Sequence, residues 1–503
     1  MIKIDADVAV LGSGFGGSLV TLILNRIGLS TVLIDRVNHP RFAIGESSTP
    51  IANMILRELT KRYDLPRIAP MTSYSAAEAA YPNVTMGLKR GFSYFAHSEH
   101  DTFTPDLAHR NELLVAASSN DRHADTHWLR ARVDNFFVAE VKAAQIPFFD
   151  RTNLVQIENG KSWSLTGERN GEKIDVKARF VIDASGQSAV LLRALGILQS
   201  SRRIKTNSRA LFSHFRDVKT WEGYLSSHGG HVEDHPFHCD DAAVHQLMDG
   251  GWMWQLRFRG GVVSIGIVLE GSGHPIDESI SPRDEWDRRI QHYPSISEQL
   301  RESAVVDPPG AIQRTGRLQR VADVVCGSNW AALPNTAGFI DPLHSTGIAQ
   351  TICGVERLAL VFEGFQDTNN FQRNLMRYGI TVRSELEMID QLVHGCYLVL
   401  DNFEMFTTYA MMYFAAATTY EHRRQDKRLT PGSAFLCADD AELRNRLATV
   451  YDRVRQTKAR HSMETEVVKT FEREVADAIR PYNIAGLCDP SVQNMYRYTA
   501  APV

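Results

Sequence analysis

The segment Gly12-Ser13-Gly14-Phe15-Gly16-Gly17 follows the continuous apolar run Val8-Ala9-Val10-Leu11 near the start of the chain. An apolar run of this kind is typical of a strand that is buried on both faces. Helical periodicity over about 14–27 and a second apolar run, Thr31-Val32-Leu33-Ile34, complete the pattern and lead into Asp35. This order of strand, glycine turn, helix, strand and acid predicts the βαβ unit of a dinucleotide-binding domain.

The glycines explain why a dinucleotide suits this turn. Residues without a Cβ permit a tight turn and let a pyrophosphate approach the backbone at the helix N-terminus. Asp35 lies 18 positions after Gly17, near the spacing at which an acid bonds a ribose hydroxyl. The residues that we expect to contact the cofactor here are Gly12, Gly14, Phe15, Gly16, Gly17, Asp35 and Arg36.

The composition is that of a large globular enzyme. The 503 residues, 43% of them hydrophobic, can bury a large core, with two or three sub-domains as the default. The net charge of −4 argues against a nucleic-acid partner and against a membrane-seeking basic surface. The six cysteines are scattered without a C-x-x-C pair, and no signal peptide is evident. We therefore expect reduced thiols, a cytoplasmic location and no membrane partner.

A late segment indicates which dinucleotide binds. It reads N-T-A-G-F-I-D-P-L-H-S-T-G over 335–347 and follows the apolar run 330–333, while Asp183-Ala184-Ser185-Gly186 follows another apolar run, 180–182. Strands that return late in the chain and end in small residues suit a long FAD laid across the domain. A second glycine fingerprint for NADPH is absent from the sequence, which favours reduction of the flavin by a separate reductase. Some flavin monooxygenases bind NADPH without such a motif, so that alternative stays open.

These motifs predict an α/β fold. A Rossmann-like FAD-binding domain of the glutathione-reductase type is split along the sequence by an inserted antiparallel-sheet substrate domain, and a helical C-terminal region follows. The predicted boundaries are 1–95, 170–200 and 315–365 for the FAD-binding domain, 96–169 and 201–314 for the inserted segments, and 366–503 for the helical cap.

Local patterns predict four further elements. A helix is expected over 50–62, because Pro50 at the first helical position follows Thr49 as an N-cap. Apolar and aromatic runs predict a strand over 88–97 and a hairpin formed by 252–258 and 262–268. Helical periodicity is expected over 125–144.

Five motifs occur in the order seen in flavin-dependent halogenases, a family that the chain resembles over most of its first 360 residues. The motifs are G-S-G-F-G-G at 12–17, G-E-S-S-T-P at 45–50, D-A-S-G at 183–186, W-M-W at 252–254 and D-P-L-H-S-T-G at 341–347. The resemblance implies an enzyme of secondary metabolism that uses FADH2 from a flavin reductase, oxygen and chloride or bromide to form hypohalous acid. It implies an electron-rich aromatic substrate, free or tethered to a carrier protein.

The resemblance also assigns residues. Backbone N–H groups of Thr346 and Gly347 would hold the halide, since N–H groups at a helix start attract anions; a plain helix cap by Ser345 or Thr346 is the alternative. Lys89 would relay the oxidant as a chloramine or as a hydrogen-bond donor, and Arg90 is its rival for the inward position. A chloramine requires a buried lysine whose pKa lies well below the usual value of about 10.4. Further cofactor contacts implied by the motifs are Glu46, Ser47, Arg130, Asp183, Asn335, Asp341, Gly347 and Ile348.

Two positions depart from the family pattern. Trp252 and Trp254, which would keep substrate away from the flavin, are followed by Gln255-Leu256-Arg257 rather than x-I-P. His344 stands where tryptophan halogenases carry a glutamate. With Lys89 and Ser345 it is a candidate catalytic residue, either as a base with a histidine pKa of about 6.5 or as a bystander that lines the pocket. The change favours a phenol-like ring, whose own hydroxyl activates the carbon, over free tryptophan.

Other interpretations remain at this stage. The segment 228–245 is rich in histidines and acids, but its spacing matches no common zinc pattern, so we expect no metal site.

A flavin monooxygenase or oxidoreductase of the same fold, without halogenation, is one alternative function. A flavin-binding or carrier-protein-binding partner without turnover is another. Substrate identity, preferred halide, ring position and oligomeric state, a homodimer included, stay open.

Overall fold

The computed structural model of the protein describes residues 1–459 and 465–501, so 460–464 and 502–503 of the predicted helical cap lie outside the described residues. The strands are β1 (Ile2–Leu11), β2 (Thr31–Ile34), β3 (Met86–Lys89), β4 (Gly91–Ala96), β5 (Glu112–Ala116), β6 (Asp125–Trp128), β7 (Phe148–Phe149), β8 (Thr152–Asn159), β9 (Trp163–Arg169), β10 (Glu172–Asp183), β11 (Gln199–Ser200), β12 (Ser208–Arg216), β13 (Ala243–Met248), β14 (Gly251–Arg257), β15 (Val263–Glu270), β16 (Ala304–Val305), β17 (Gln313–Arg314), β18 (Arg320–Ala322), β19 (Cys326–Gly327), β20 (Trp330–Ala332), β21 (Gly338–Phe339) and β22 (Met495–Tyr496). The helices are α1 (Phe15–Arg26), α2 (Pro50–Arg62), α3 (Tyr74–Ala80), α4 (Arg130–Ala143), α5 (Val190–Ala194), α6 (Trp221–Ser227), α7 (Pro282–Gln291), α8 (Pro294–Leu300), α9 (Pro334–Ala337), α10 (Thr346–Glu363), α11 (Thr368–Leu398), α12 (Phe403–Gln425), α13 (Ala441–Ala459) and α14 (Thr465–Ile479).

The first sheet is built around β1, which is apolar and fully buried over its second half. Strands β2 and β10 flank β1 in parallel, β7 pairs with β2, and β20 pairs with β10, also in parallel. Leu11 is opposite Asp183, and Asp183 is opposite Ala332, so the three strands end at the same edge. The glycine turn, the D-A-S-G turn and the 335–347 segment therefore start side by side, and the predicted α/β class is confirmed.

The second sheet has nine strands in the order β16-β12-β15-β14-β13-β4-β5-β22, with β17 on β12. The predicted hairpin is present as β14 and β15, with Trp252 opposite Val268. Strands β13 and β4 pair in parallel, as do β22 and β5, which brings the end of the chain onto this sheet. The sheet thus joins residues from three distant parts of the sequence.

The predicted helix over 125–144 is wrong in its first residues. Asp125–Trp128 is strand β6, which pairs with β3, and the helix begins only at Arg130. The reason is a long-range ladder: Lys89 lies opposite Asp125, and the extended Leu129 separates strand from helix. The single strand predicted over 88–97 is likewise two strands, broken at Arg90, whose N–H donates to Asp241 O over 2.6 Å.

Sheet membership also differs from the predicted domain boundaries at two places. Strand β4 belongs to the second, mixed sheet, although the first FAD-binding segment was predicted to extend to residue 95. Strands β7, β8 and β9 belong to the first sheet, although they lie inside the predicted insertion 96–169. Both differences arise from strand pairing across long sequence separations, which motif positions alone do not reveal.

The ion pairs of two buried arginines tie the C-terminal helices to the rest of the fold. Arg357 on α10 and Glu385 on α11 approach to 2.7 Å and are 5% and 0% exposed. Arg424 on α12 contacts Glu356 of α10 and Glu58 of α2. The helical region is therefore anchored to the elements that follow the G-E-S-S-T-P and S-T-G motifs. In the described part of the chain, no helix is long and apolar enough to cross a membrane.

Glu385→Ala tests this anchor. The substitution leaves the Arg357 guanidinium buried without its carboxylate, and such losses cost about 3–5 kcal/mol. Glu387→Ala is the matched control on the same helix, because Glu387 is 61% exposed and lies 3.6 Å from Arg444. A surface pair contributes about 0–1 kcal/mol. We expect urea unfolding to show a large loss for Glu385→Ala and a small one for Glu387→Ala; equal losses would contradict the anchoring role.

Candidate active site

The glycine turn has a bare backbone because side chains do not fit there. Gly12 has φ +106°, and a Cβ on it would lie 2.5 Å from Ala184 O. A Cβ on Gly17 would lie 1.9 Å from Gly12 O. Helix α1 begins at Phe15 with Gly14 as N-cap and no capping side chain. A turn of this shape at the start of a buried helix suits a phosphate group.

Asp35 braces the turn. Its Oδ2 accepts hydrogen bonds from Ser13 N at 2.8 Å and Ser13 Oγ at 2.7 Å, and its Oδ1 accepts from Val37 N at 3.1 Å. The carboxylate is therefore engaged by the protein, while the neighbouring Arg36 is exposed. The ribose contact of Asp35 and the cofactor contact of Arg36 stay predictions.

Arg130 connects the turn to the G-E-S-S-T-P segment. Its guanidinium makes two 2.9 Å hydrogen bonds to Asp134 and donates to Ile44 O and Gly45 O at 3.2 and 3.1 Å. It also lies over the Phe15 ring, 4.8 Å from the ring centre. Asp134 in turn accepts from Phe15 N at 3.2 Å. Arg130 is thus held by the protein at the glycine turn rather than lying as a free surface charge, and its support of a cofactor stays a prediction.

The G-E-S-S-T-P segment runs beside β6. Trp128 N donates to Glu46 O, and Ser48 N donates to Thr126 O, at 2.6 and 3.0 Å. The Glu46 carboxylate contacts His214 Nε2 at 3.0 Å. Among the described residues, the buried hydroxyls of Ser47 and Thr49 have no hydrogen-bond partner. Two unsatisfied hydroxyls at this position indicate a surface built to receive another molecule.

Two basic residues near the turn were missed by sequence reasoning. His39 Nε2 lies 2.8 Å from Ser13 Oγ, and a guanidinium nitrogen of Arg41 lies 4.0 Å from the Cβ position of Gly14. Within the described residues, His39 Nδ1 and Arg41 Nε are buried without partners. Only the folding of the irregular loop after Asp35 brings these two side chains to the glycine turn, so no sequence motif predicts their position there.

Asp183 and Asp341 hold the other two turns in shape. Asp183 accepts from the backbone of Ser185, Leu191 and Leu192. Asp341 Oδ2 accepts from Ser208 Oγ at 2.6 Å and Tyr397 OH at 3.0 Å. Burial raises the pKa of Asp341 to about 6. Both carboxylates therefore brace the protein, and direct contacts from them to a cofactor stay predictions.

The S-T-G turn opens helix α10. Ser345 has φ +53° and makes no side-chain cap, and the helix starts at Thr346. This combination of a left-handed residue and a helix start points successive N–H groups to one side, as in an anion nest. A Cβ on Gly347 would meet nothing within 4 Å, whereas Ile348 is buried. Asn335, at the start of the same segment, is exposed, and its carbonyl accepts from Arg320.

Lys89 is completely buried. Its Nζ donates to Ser48 O over 2.7 Å and lies 4.1 Å from the centre of the Phe92 ring. Asp125 faces it across the β3–β6 ladder and accepts from Asn53 Nδ2 over 2.6 Å. Burial lowers the pKa of Lys89, with the Asp125 carboxylate opposing that change, and burial likewise raises the pKa of Asp125.

Arg90 points elsewhere. It pairs with Asp121 at 2.6 Å and lies 5.8 Å from the centre of the Phe237 ring. Lys89 is therefore the inward residue of the two.

A cavity of two adjoining chambers lies next to the Lys89 environment. The larger holds about 490 Å³ of empty space, partly open to solvent, and the smaller about 320 Å³. Both chambers are bounded by the start of α2, by α12 and by the chain end near Ala500. Phe92 lines the smaller chamber and Asp125 the larger, so the two neighbours of Lys89 open onto this space.

His344 is buried behind the cavity wall. Its ring stacks on Tyr413 with centres 4.4 Å apart, and Nε2 lies 3.7 Å from Cys396 Sγ. Burial lowers the pKa of His344 to about 3. The ordinary histidine pKa assumed for a base is therefore wrong for this residue, which is a poor proton acceptor near neutral pH.

The two tryptophans are core residues that face the same side of β14. Trp252 Nε1 donates to Tyr397 OH at 3.0 Å, and Trp254 Nε1 donates to Ser264 Oγ at 3.1 Å. Trp254 covers Gly266, where a Cβ would lie 2.2 Å from the indole. Neither ring belongs to the cavity wall, and a role in separating substrate from flavin stays a prediction.

Only part of the histidine-rich segment, at His235 and Cys239, joins a buried polar network, whereas His231 and His238 are nearly half exposed. His109, Glu112 and His235 present ligand-type atoms within 4.8 Å of one another, as do Glu222, His235 and Cys239. His109 Nδ1 lies 2.5 Å from Glu112 Oε1, as in an ordinary hydrogen bond between imidazole and carboxylate. The expectation that no metal binds here stays a prediction.

Comparison with known proteins identifies the family. The tryptophan halogenase family model matches residues 127–406, which is more than half of the chain. The chain belongs to this halogenase family. Tetracycline 7-halogenase of Kitasatospora aureofaciens is 27% identical over 353 residues, 69% of this chain and 61% of that protein. Monodechloroaminopyrrolnitrin halogenase PrnC of Pseudomonas fluorescens is 26% identical over 414 residues, 80% of this chain and 70% of that protein. The chain therefore spans less than two thirds of the length of the first of these relatives.

The fold is also found in a crystal structure of halogenase PltM in complex with phloroglucinol and FAD. The TM-score is 0.85 at 22% identity, over 99% of this chain and 100% of PltM. The residues present in this chain fit a flavin dinucleotide: a turn that excludes side chains, two unsatisfied hydroxyls at Ser47 and Thr49, and the polar side chains of His39 and Arg41.

Gly12→Ala tests the cofactor turn. The new methyl group would collide with Ala184 O, so we expect FAD to bind about tenfold or more weakly, equivalent to about 1.4 kcal/mol. Gly28→Ala is the matched control, since Gly28 has φ +90° but nothing within 4 Å of its Cβ position. Gly28→Ala introduces the same backbone strain, about 1–3 kcal/mol, but its new methyl group collides with no neighbouring atom. Fluorescence titration of the apoprotein with FAD measures both; unchanged binding by Gly12→Ala would contradict the predicted turn.

Proposed function

We propose that the protein is a flavin-dependent halogenase that transfers chlorine or bromine to an electron-rich, phenolic aromatic ring, free or carrier-bound. FADH2 would come from a separate flavin reductase. The observation that carries the proposal is Lys89, a fully buried amine whose neighbours Phe92 and Asp125 line the cavity. Burial of an amine is costly, and its position beside a cavity favours a chemical role over a structural one.

The cofactor region supports the first half of this reaction. The glycine turn would hold the FAD pyrophosphate, with Arg41 and His39 beside it, while Arg130 keeps the turn against the 44–45 backbone. Bound as FADH2, the cofactor supplies the electrons for the reaction of O2 with halide that yields hypohalous acid. The backbone N–H groups of Thr346 and Gly347 would hold the halide without adding a cation.

Lys89 would then act as a hydrogen-bond donor to hypohalous acid. Its Nζ–H bond to Ser48 O, the Phe92 ring face and the opposite Asp125 all stabilise the ammonium form. The lowered pKa makes that ammonium a stronger acid, which suits a group that must give a proton to the departing oxygen. These contacts suit the donor route, whereas the burial and lowered pKa of Lys89 also meet the requirement of the chloramine route, so the pH dependence of the rate separates the two.

A phenolic substrate agrees with the surroundings of His344. A ring that carries a hydroxyl is nucleophilic without a strong base at the reacting carbon. His344 has a pKa lowered to about 3 and stacks beneath Tyr413, so it would serve this reaction by packing rather than by proton transfer.

Lys89→Met tests the central residue. We expect loss of halogenated product by about 10²-fold or more, because the proton donor is removed, with FAD binding unchanged. Arg90→Met is the control, since Arg90 points to Asp121 and Phe237. Product is measured by mass spectrometry with a flavin reductase, bromide and resorcinol. Full halogenation by Lys89→Met would refute the assignment, and turnover to a hydroxylated product without bromide dependence would favour a monooxygenase.

The pH dependence tests the donor route. Activity that needs the ammonium is complete below the lowered pKa of Lys89 and is lost as pH rises through it. Asp125 raises this pKa, so Asp125→Asn moves the loss of activity to lower pH. His127 and His245 have pKa values lowered to about 3 and stay neutral throughout this range.

Single-turnover rates of wild type and Asp125→Asn between pH 6 and about 10, with an electron-rich ring that carries no hydroxyl group, provide the measurement. A rate that rises with pH would contradict the donor route and favour the chloramine. An unchanged midpoint in Asp125→Asn would contradict the coupling between the two side chains.

A further inference from the structure

Glu421 is a buried carboxyl group that contributes to the walls of both chambers. It lies near the end of α12 and is 4% exposed. Its Oε2 accepts a hydrogen bond from Ala501 N at 3.2 Å, so the segment 499–501 holds the carboxyl group in place. This segment is itself fixed, because Thr499 N and Oγ1 both donate to Ala116 O, at 3.0 and 2.8 Å.

Asp125 brings a second carboxyl group to the same cavity. Asn53 binds its Oδ1, but Oδ2 is buried without a hydrogen-bond partner among the described residues. Asp125 and Glu421 both line the larger chamber. An unsatisfied buried acceptor beside a second carboxyl group requires a molecule with hydroxyl or other N–H or O–H donors.

The remaining walls suit an aromatic ring. Phe92, Tyr413 and Phe414 surround the smaller chamber, with ring centres of Phe92 and Phe414 5.4 Å apart. Ala417 provides a small apolar surface one turn before Glu421. A planar ring packed against this aromatic surface, with a hydroxyl directed at Glu421, would satisfy both the apolar and the polar parts of the cavity.

We propose that Glu421 is a second catalytic residue, which binds the phenolic hydroxyl of the substrate and takes up its proton during halogenation. The inference rests on the proposed halogenase function. The electron pair of the ring carbon forms the carbon–halogen bond as the halogen–oxygen bond of hypohalous acid breaks. The departing oxygen takes a proton from Lys89 and leaves as water, and the phenolic proton passes to the Glu421 carboxylate, giving a neutral halogenated dienone.

The second half of the cycle restores both residues. The hydrogen on the halogenated carbon leaves as a proton to the Lys89 amine, its electron pair restores the aromatic ring, and Glu421 returns its proton to the phenolic oxygen. The sum is phenol plus hypohalous acid to halophenol plus water. Burial raises the pKa of Glu421 to about 8, closer to a phenol at about 10 than an ordinary glutamate is, which favours proton exchange between them.

The test compares two ring substrates in wild type and Glu421→Gln. Resorcinol carries hydroxyl groups, whereas 1,3-dimethoxybenzene has similar ring activation and no O–H. Glutamine keeps the size of the side chain and a carbonyl oxygen for Ala501 N–H but does not take up a proton. We expect kcat/KM for bromination of resorcinol to fall about 10²-fold or more, while the lower rate with 1,3-dimethoxybenzene changes less than about threefold.

His422→Ala is the matched control, because His422 follows Glu421 on α12 and belongs to the lining of neither chamber. FAD affinity and thermal unfolding show whether each variant folds like wild type. If Glu421→Gln is misfolded, Glu421→Asp replaces it, and an intermediate loss confined to resorcinol supports the role.

The outcomes separate the two proposals. No brominated product from wild type with either ring overturns the halogenase function itself. Bromination of resorcinol by wild type and Glu421→Gln at equal rates overturns the role of Glu421 alone. An equal loss with both rings also overturns it, because the effect would then be independent of the hydroxyl.

Discussion

The short ladder between Met86–Lys89 and Asp125–Trp128 is the constraint on which both halves of the site depend. On one side it places Lys89 against Ser48 and opposite Asp125. On the other side it leads through Leu129 directly into α4, so that Arg130 reaches the loop before the G-E-S-S-T-P segment. A single pair of four-residue strands thereby sets the distance between the cofactor turn and the buried amine.

The burial of Lys89 has a cost that the surrounding groups only partly offset. Each unit by which the pKa of Lys89 falls corresponds to about 1.4 kcal/mol by which the charged form is destabilised relative to the neutral amine. A carbonyl, a ring face and a carboxylate compensate for the missing water, and the nearby histidines remain neutral. The same environment that destabilises the ammonium makes it a better proton donor, so the structural cost and the chemical role have one origin.

Features that depend on local chemistry were predicted from the sequence. Glycines without a side chain indicated the turn, apolar runs indicated the late strands, and a proline indicated the start of α2 at Pro50. The strand at Asp125–Trp128 was not predicted, since its ladder partner lies nearly 40 residues earlier. Arg41 was missed because an irregular loop brings it to the turn. Glu421 was missed because the run E-H-R-R-Q at the end of a helix is typical of a solvated face, and only packing by the chain end buries it.

The central claim is that halide is held at the start of α10, on the flavin side, and that the halogen then reaches Lys89. A crystal of the FAD-loaded protein soaked in bromide, with data collected at the bromine absorption edge, tests it most directly. We expect an anomalous peak within hydrogen-bond distance of the Thr346 and Gly347 N–H groups, and we expect no such peak in a crystal that was not soaked in bromide. A well-ordered FAD with no bromine peak at this helix start would contradict the account.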